Sequence, residues 1–254
     1  MKNRLIEYSP TNNLNEYIDS YWFFRNNTGE IISFPVVPDG CSDIVFYLNN
    51  SNRLSDLENA FVTGIMETAK LVPIPHKMEL FGVRFRPGVL SYLLKTDMSE
   101  LKNKMCDLPR INKNIFKNLI QDNNAGDENI VESVNSKLTE LLTKENFKDN
   151  FFIIMEIICE NPEISINELS LKSGFSIKSL ERIFNKRIGL SPKKFIRIMR
   201  FQKAHKRISN EGLADLVTVA LSSGYFDQAH FNREYKKLVG FNPNNETLSI
   251  LYNT

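Results

Sequence analysis

Cysteine and histidine are scarce in this 254-residue chain, with three of each. Cys41, Cys106 and Cys159 are odd in number, far apart and not interleaved with histidine at metal-ligand spacing. That argues against a disulfide framework and against a zinc site, and a reducing cytoplasm is the expected setting. His76, His205 and His230 lack a Ser/Asp or Cys partner at readable spacing, so hydrolase and metalloenzyme chemistry gets little support. No catalytic residue, metal or cofactor is expected. Long apolar runs are also missing. No stretch approaches the roughly 18 residues needed to span a bilayer, and the opening MKNRLIEYSPTNN lacks the apolar core of a signal peptide. Neither membrane insertion nor export is expected.

A large overall charge is lacking too, the net being +2, but the sign is unevenly placed. Residues 1–146 hold 16 Lys/Arg against 19 Asp/Glu, hence −3; residues 147–254 hold 16 against 11, hence +5. Within Lys172–Arg207 twelve Lys/Arg stand against one acid, Glu181, a local net of +11. An isolated charge run is usually a solvated face, whereas one coupled to a groove-reading motif indicates a polyanion partner.

The pattern of elements divides at about the same place. Short β-branched and aromatic runs at Tyr21–Phe24, Ile31–Val37, Asp43–Leu48, Phe61–Thr63, Lys70–Ile74 and Met78–Phe85 are separated by turn residues such as Pro38-Asp39-Gly40. They predict a β-rich module, a small barrel or curved sheet. After Arg86-Pro87-Gly88 a helical stripe begins at Val89, Leu90, Leu93 and Leu94, and helix continues intermittently to Thr143 with a loop at Gln121–Glu128. From about Phe147 the period is almost wholly helical. The expected architecture is α+β with two domains. The first, 1–146, is a β-rich domain with trailing helices; the second, 147–254, is all-α, with two helix-turn-helix units joined by a linker helix.

Those two units are visible as an internal repeat. Leu169, Leu171, Ser173 and Gly174 match Val219, Leu221, Ser223 and Gly224 at an offset of 50. Leu180, Arg182, Phe184, Gly189 and Pro192 match Phe231, Arg233, Tyr235, Gly240 and Pro243 at 51. Each unit reads as two short helices about a Gly turn, the second helix being able to enter a major groove. Ser165 with Glu168 predicts a capping box, and Ser176 caps the next helix. Ile166, Leu169 and Leu171, then Leu180, Ile183 and Phe184, are expected to face inward, leaving Lys178, Glu181, Arg182 and Asn185 outside. In the second unit Asp215 is the expected cap. Leu216, Val219, Ala220, Phe231 and Tyr235 form the core, and Gln228, His230, Asn232, Arg233 and Lys236 are presented. Ser191-Pro192 opens a basic helix through about Ile208 that spaces the units.

The stretches SINELSLKSGFSIKSLERIFNKRIGLSPKKFI and ALSSGYFDQAHFNREYKKLVGFNPNNE resemble the two helix-turn-helix units of the AraC/XylS family of bacterial transcription regulators, over about 100 residues of the chain. The resemblance implies two recognition helices in successive major grooves of double-stranded DNA. It implies base reading by Lys178, Glu181 and Arg182 and by Gln228, Asn232 and Arg233, the two arginines having phosphate contact or an internal ion pair as alternatives. Ser176, Asn185, Lys186, Lys193, Arg197, His230 and Lys236 complete the expected DNA-binding set. The second unit ends Pro243-Asn244-Asn245-Glu246, where the family has an aromatic and then Arg. RNA polymerase enters as a partner implied by the family.

In the first half, FPVVPDGCSDIVFYL and LFGVRFRPGVLSYLL are similar to the sensory module of an AraC-like subset, implying a small-molecule effector. Alternation places Phe81, Val83 and Phe85 on one face and Arg84 and Arg86 on the other, with Asp39 and Asp43 at a nearby turn. An anion-binding pocket at these four residues and an Arg–Asp pair that fixes the turn are the two readings, the second favoured. Tyr21, Trp22 and Phe24 are expected in a core rather than a ligand cage. An alkyl-accepting Cys41, which would need a lowered thiol pKa, and a protein-binding adaptor are the rival functions. The Ile130, Val134, Leu138 and Leu141 stripe fits either pairing in a homodimer or packing within one chain.

Overall fold

Six antiparallel strands form the main sheet of the computed structural model, which describes residues 4–48, 60–112, 119, 126–144, 150–211 and 216–244. In chain order the strands are β1 (Arg4–Tyr8), β2 (Ile18–Arg25), β3 (Ile32–Val36), β4 (Ser42–Tyr47), β5 (Ala60–Thr63), β6 (Lys70–Ile74), β7 (Glu79–Phe85) and β8 (Met105–Asp107). The sheet runs β1-β2-β7-β4-β5-β8, and β3 pairs with β6 in a separate ribbon. Side-chain alternation gives each face its own core. Tyr21, Phe23, Ile44, Phe46, Phe81, Val83 and Phe85 pack toward α1 (Val89–Leu94) and α3 (Asp127–Lys144). On the opposite face Phe24, Val45 and Leu80 meet Ile32, Phe34, Val72 and Ile74 of the ribbon, with Trp22 and Tyr47 beside them.

The six expected strand runs correspond to β2 through β7, and Tyr21, Trp22 and Phe24 lie in or against these cores. Two strands were not anticipated, β1 and the three-residue β8, each at a sheet edge. The expected helical stretch from Val89 to Thr143 is broken by a 3-10 turn at Met98–Glu100 and by β8 before α2 (Leu108–Ile111). The expected loop at Gln121–Glu128 lies partly outside the described residues, and α3 already begins at Asp127.

Trp22 stands directly across from Gly82 in the β2–β7 register, and a Cβ on Gly82 would fall 1.9 Å from Trp22 Cε2. Only glycine lets the indole lie over the strand. On the other face the Tyr21 hydroxyl donates to Asn135 Oδ1 of α3 at 2.8 Å. Asp127, at the amino end of that helix, pairs with Arg25 at 2.5 Å, a favourable place for an acid. The stripe Ile130, Val134 and Leu138 is buried against the sheet, with Leu141 packed beside it, so it packs within the chain.

The second half contains α4 (Asn150–Glu160), α5 (Ile166–Ser173), α6 (Ile177–Arg187), α7 (Pro192–Glu211), α8 (Leu216–Ser222) and α9 (Gln228–Val239). They share one core that includes Phe151, Ile158, Leu169, Phe184, Phe195, Phe201, Phe231 and Tyr235. The expected domain boundary after Asn146, like the expected Asp215 cap, lies outside the described residues.

The β-rich half touches this helical core at several points. Ile65 is buried within it. Gln202 Nε2 of α7 donates to Pro38 O at 2.5 Å, Lys194 Nζ pairs with Glu67 at 2.5 Å, and the Ala69 N–H donates to Leu238 O of α9 at 2.6 Å. The Arg187 guanidinium sits 3.5 Å over the Tyr92 ring.

Candidate nucleic-acid interface

The first helix-turn-helix unit is assembled by local rules. Ser165 Oγ accepts from the Glu168 N–H at 3.2 Å while Glu168 Oε2 accepts from the Ser165 N–H at 2.9 Å, the predicted capping box. Gly174 ends α5 at φ +73°, a left-handed conformation that costs a side-chain-bearing residue more than glycine. Two residues later Ser176 Oγ accepts from the Ser179 N–H at 3.2 Å and starts α6. Leu180 and Phe184 are fully buried and Ile183 is partly so. One inward expectation fails: Leu171 is 83% exposed. It lies two residues, about 200° of helix, from the buried Leu169, so packing one turns the other to solvent.

The outer face of α6 carries Lys178, Glu181, Arg182, Asn185 and Lys186, all exposed, beginning at exposed Ser176. Spacings of three and four align them along the helix. Lys193 at the start of α7 is exposed as well. Arg197 is directed elsewhere: its guanidinium approaches Glu234 of α9 at 3.6 Å. Burial pushes the Glu234 carboxyl up, but Lys237 and Arg197 outweigh it and hold the pKa below the ordinary value.

In the second unit Asp227 caps α9 by accepting from the His230 N–H at 2.6 Å. Phe231 and Tyr235 are fully buried. Arg233 and Lys236 are exposed, whereas Gln228, His230 and Asn232 are half-buried. The Asn232 Oδ1 is enclosed without a hydrogen bond, and His230 Nδ1 accepts from the Phe226 N–H at 3.4 Å. The solvent face of α9 is therefore narrower than its sequence suggests.

The same holds for the basic run. Of its twelve cations, Arg187 rests on Tyr92, Lys194 pairs with Glu67, Arg197 with Glu234 and Lys203 with Glu163, while Arg200 donates to the Pro162 and Glu163 carbonyls. Lys172, Lys178, Arg182, Lys186 and Lys193 stay exposed around the first unit. None of the internal roles was legible in the sequence, because each partner comes from a distant segment.

Arg84, Asp39 and Asp43 do come together. Arg84 Nε lies 3.3 Å from Asp39 Oδ2 and 3.4 Å from Asp43 Oδ1, and Arg84 Nη1 lies 3.5 Å from Glu7. Asp43 and Arg84 are opposite each other in the β4–β7 register. Burial pushes the Asp43 carboxyl up to about 7 despite the arginine beside it. Carboxylates outnumber the arginine, so the cluster is poorly suited to an anion. Arg86 is not part of it; its Nε donates to Asn15 O at 2.6 Å. Burial, with Asp39 adding to it, raises the Cys41 thiol well above its ordinary value, opposite to what a reactive thiolate requires. Among the described residues no group of three or more His, Cys, Asp or Glu is placed to hold a metal, and no helix is long and apolar enough to cross a membrane.

Two helix-turn-helix units on one core, spaced by a shared helix, define a tandem helix-turn-helix protein. Residues 169–246 match a family model described as a helix-turn-helix domain, and residues 6–107 match a domain of unknown function. An uncharacterized HTH-type transcriptional regulator of Haemophilus influenzae is 24% identical over 176 residues, covering 62% of this chain and 59% of that protein. The HTH-type transcriptional regulator GbdR of Pseudomonas aeruginosa is 28% identical over 93 residues, 37% of this chain and 25% of its own length. The chain thus spans less than two thirds of these relatives. A solved structure described as a probable AraC family transcriptional regulator from Rhodopseudomonas palustris is 31% identical, covering 39% of this chain and 93% of that one, with a TM-score of 0.33. A helix-turn-helix domain over residues 169–246 is what the chain shares with these transcriptional regulators.

Proposed function

We propose that the protein is a cytoplasmic, sequence-specific DNA-binding transcription regulator with two domains, 1–146 and 147–254. In this reading α6 and α9 enter successive major grooves of a DNA duplex, and the β-rich half controls the pair. The observation that carries the reading is the pair of capped helices, each with an exposed polar and basic face, fixed on one core by α7. Arg182 and Arg233, exposed at equivalent repeat positions, are assigned to base edges. Lys178, Glu181 and Asn185 assist the first and Gln228 the second, while Lys172, Lys186, Lys193 and Lys236 neutralise phosphates. Asp39, Asp43 and Arg84 are assigned to fixing the turn that meets α7, and control is exerted through that contact.

The test is selection of duplexes from a random pool by the whole chain, by Arg182→Ala and by Arg233→Ala. Two short motifs about one helical turn apart are expected, each substitution relaxing one of them. Binding without enrichment by the unaltered chain would refute sequence-specific reading.

A further inference from the structure

Phe226 is the most exposed large apolar side chain among the described residues, at 85%. Its position explains the one-residue change in repeat offset. The cap of α6 follows its turn glycine by two residues, Gly174 to Ser176, whereas the cap of α9 follows by three, Gly224 to Asp227. Tyr225 occupies the place of Phe175: it is buried, packs its ring 5.1 Å from Phe231 and lies under the Arg200 guanidinium at 5.9 Å. Phe226 is therefore the added residue.

The backbone holds this side chain out. The Tyr225 N–H donates to Ala220 O at 3.0 Å, the Phe226 N–H donates to His230 Nδ1, and Asp227 is fixed by its cap bond to His230. With Tyr225 turned into the core and Asp227 committed to the helix end, Phe226 protrudes just ahead of α9. A recognition helix approaches base edges with its amino-terminal residues, and the apolar feature of a major-groove edge is the thymine 5-methyl group.

We infer that Phe226 is a specificity residue that contacts thymine methyl groups in the major groove beside the second recognition helix. This rests on the DNA-binding reading above and adds a preference that the polar residues of α9 do not supply. The first unit has no counterpart, so the preference belongs to one half of the site only.

The test begins with duplex selection by the full chain and by Phe226→Ala. An exposed side chain should be replaceable without loss of folding, which a thermal melt of the variant checks. The unaltered chain is expected to select thymine at one or two positions flanking one motif, and Phe226→Ala to lose that preference while keeping both motifs. Replacing those thymines with deoxyuridine removes the methyl groups and leaves the pairing intact. The unaltered chain should then weaken by about fourfold per methyl, from the usual value of one buried carbon, and Phe226→Ala by less than about twofold. Equal weakening in both proteins, or none in either, overturns the inference while leaving the DNA reading standing. A selection by the unaltered chain that enriches nothing removes the DNA reading and the inference with it. Self-association abolished by Phe226→Ala, with DNA preference unchanged, assigns the side chain to a second copy of the chain and also overturns the inference.

Discussion

The salt dependence of duplex binding is set by which cations the fold leaves available. If all twelve in Lys172–Arg207 together with Arg233, Lys236 and Lys237 met phosphate, log K would fall against log salt with a slope of about −13, at roughly −0.9 per phosphate. The structure commits several to Tyr92, Glu67, Glu234, Glu163 and backbone carbonyls. It leaves Lys172, Lys178, Arg182, Lys186, Lys193, Arg233 and Lys236 exposed on the two units. Seven contacts give a slope of about −6, so raising salt from about 0.1 to about 0.3 M should weaken binding about a thousandfold. Fluorescence anisotropy on a labelled selected duplex measures this directly. Lys186→Ala should flatten the slope by about one, and Lys203→Ala should leave it unchanged. A slope steeper than about −9 would mean that the internal pairs open on DNA. One shallower than about −3 would mean that α6 and α9 do not lie against the phosphates, and either result refutes the assignment.

His205 is buried, stacks 5.1 Å from Phe201, and is pushed down by burial to about 4. In the unfolded chain it titrates near 6.5, so between about pH 6.5 and 4 the unfolded state takes up a proton that the folded state refuses. Stability should fall with pH across that window by about 3 kcal/mol in total; denaturant melts of the unaltered chain and His205→Gln should diverge there, and parallel curves would contradict the assignment. Gly82→Ala should destabilise by about 1–3 kcal/mol through collision with Trp22. A double-mutant cycle with Trp22→Ala should show a coupling above about 1 kcal/mol, and simple additivity would show that the indole moves aside without cost.

Which features were legible in the sequence follows from the range of the interactions that create them. The capping box at Ser165 and Glu168, the cap at Ser176 and the left-handed Gly174 depend on residues within a few positions, and all three are present as read. The six strand runs carried enough alternation to be recognised, and Phe81, Val83 and Phe85 share a face as expected. β8 escaped because three residues are too few to show a period, and β1 because its pairing partner, β2, supplies what its own short pattern does not. Leu171 was misplaced because an apolar residue in a short helix was counted toward the core without following its angle around the axis.

By itself the sequence determined the fold class, the tandem repeat and the polar face of α6, since each is encoded by periodicity and by caps acting over a turn or two of chain. Only the tertiary structure decided how the charges and the exceptions are used. It paired Lys194 with Glu67 and Arg197 with Glu234, and seated Gln202 on Pro38. Such partners lie tens of residues or more apart, and sequence spacing holds no information about which distant side chains packing will bring within reach. Phe226 illustrates the division: the shifted repeat offset revealed an added residue, and only the burial of Tyr225 and the capping by Asp227 turned that residue outward.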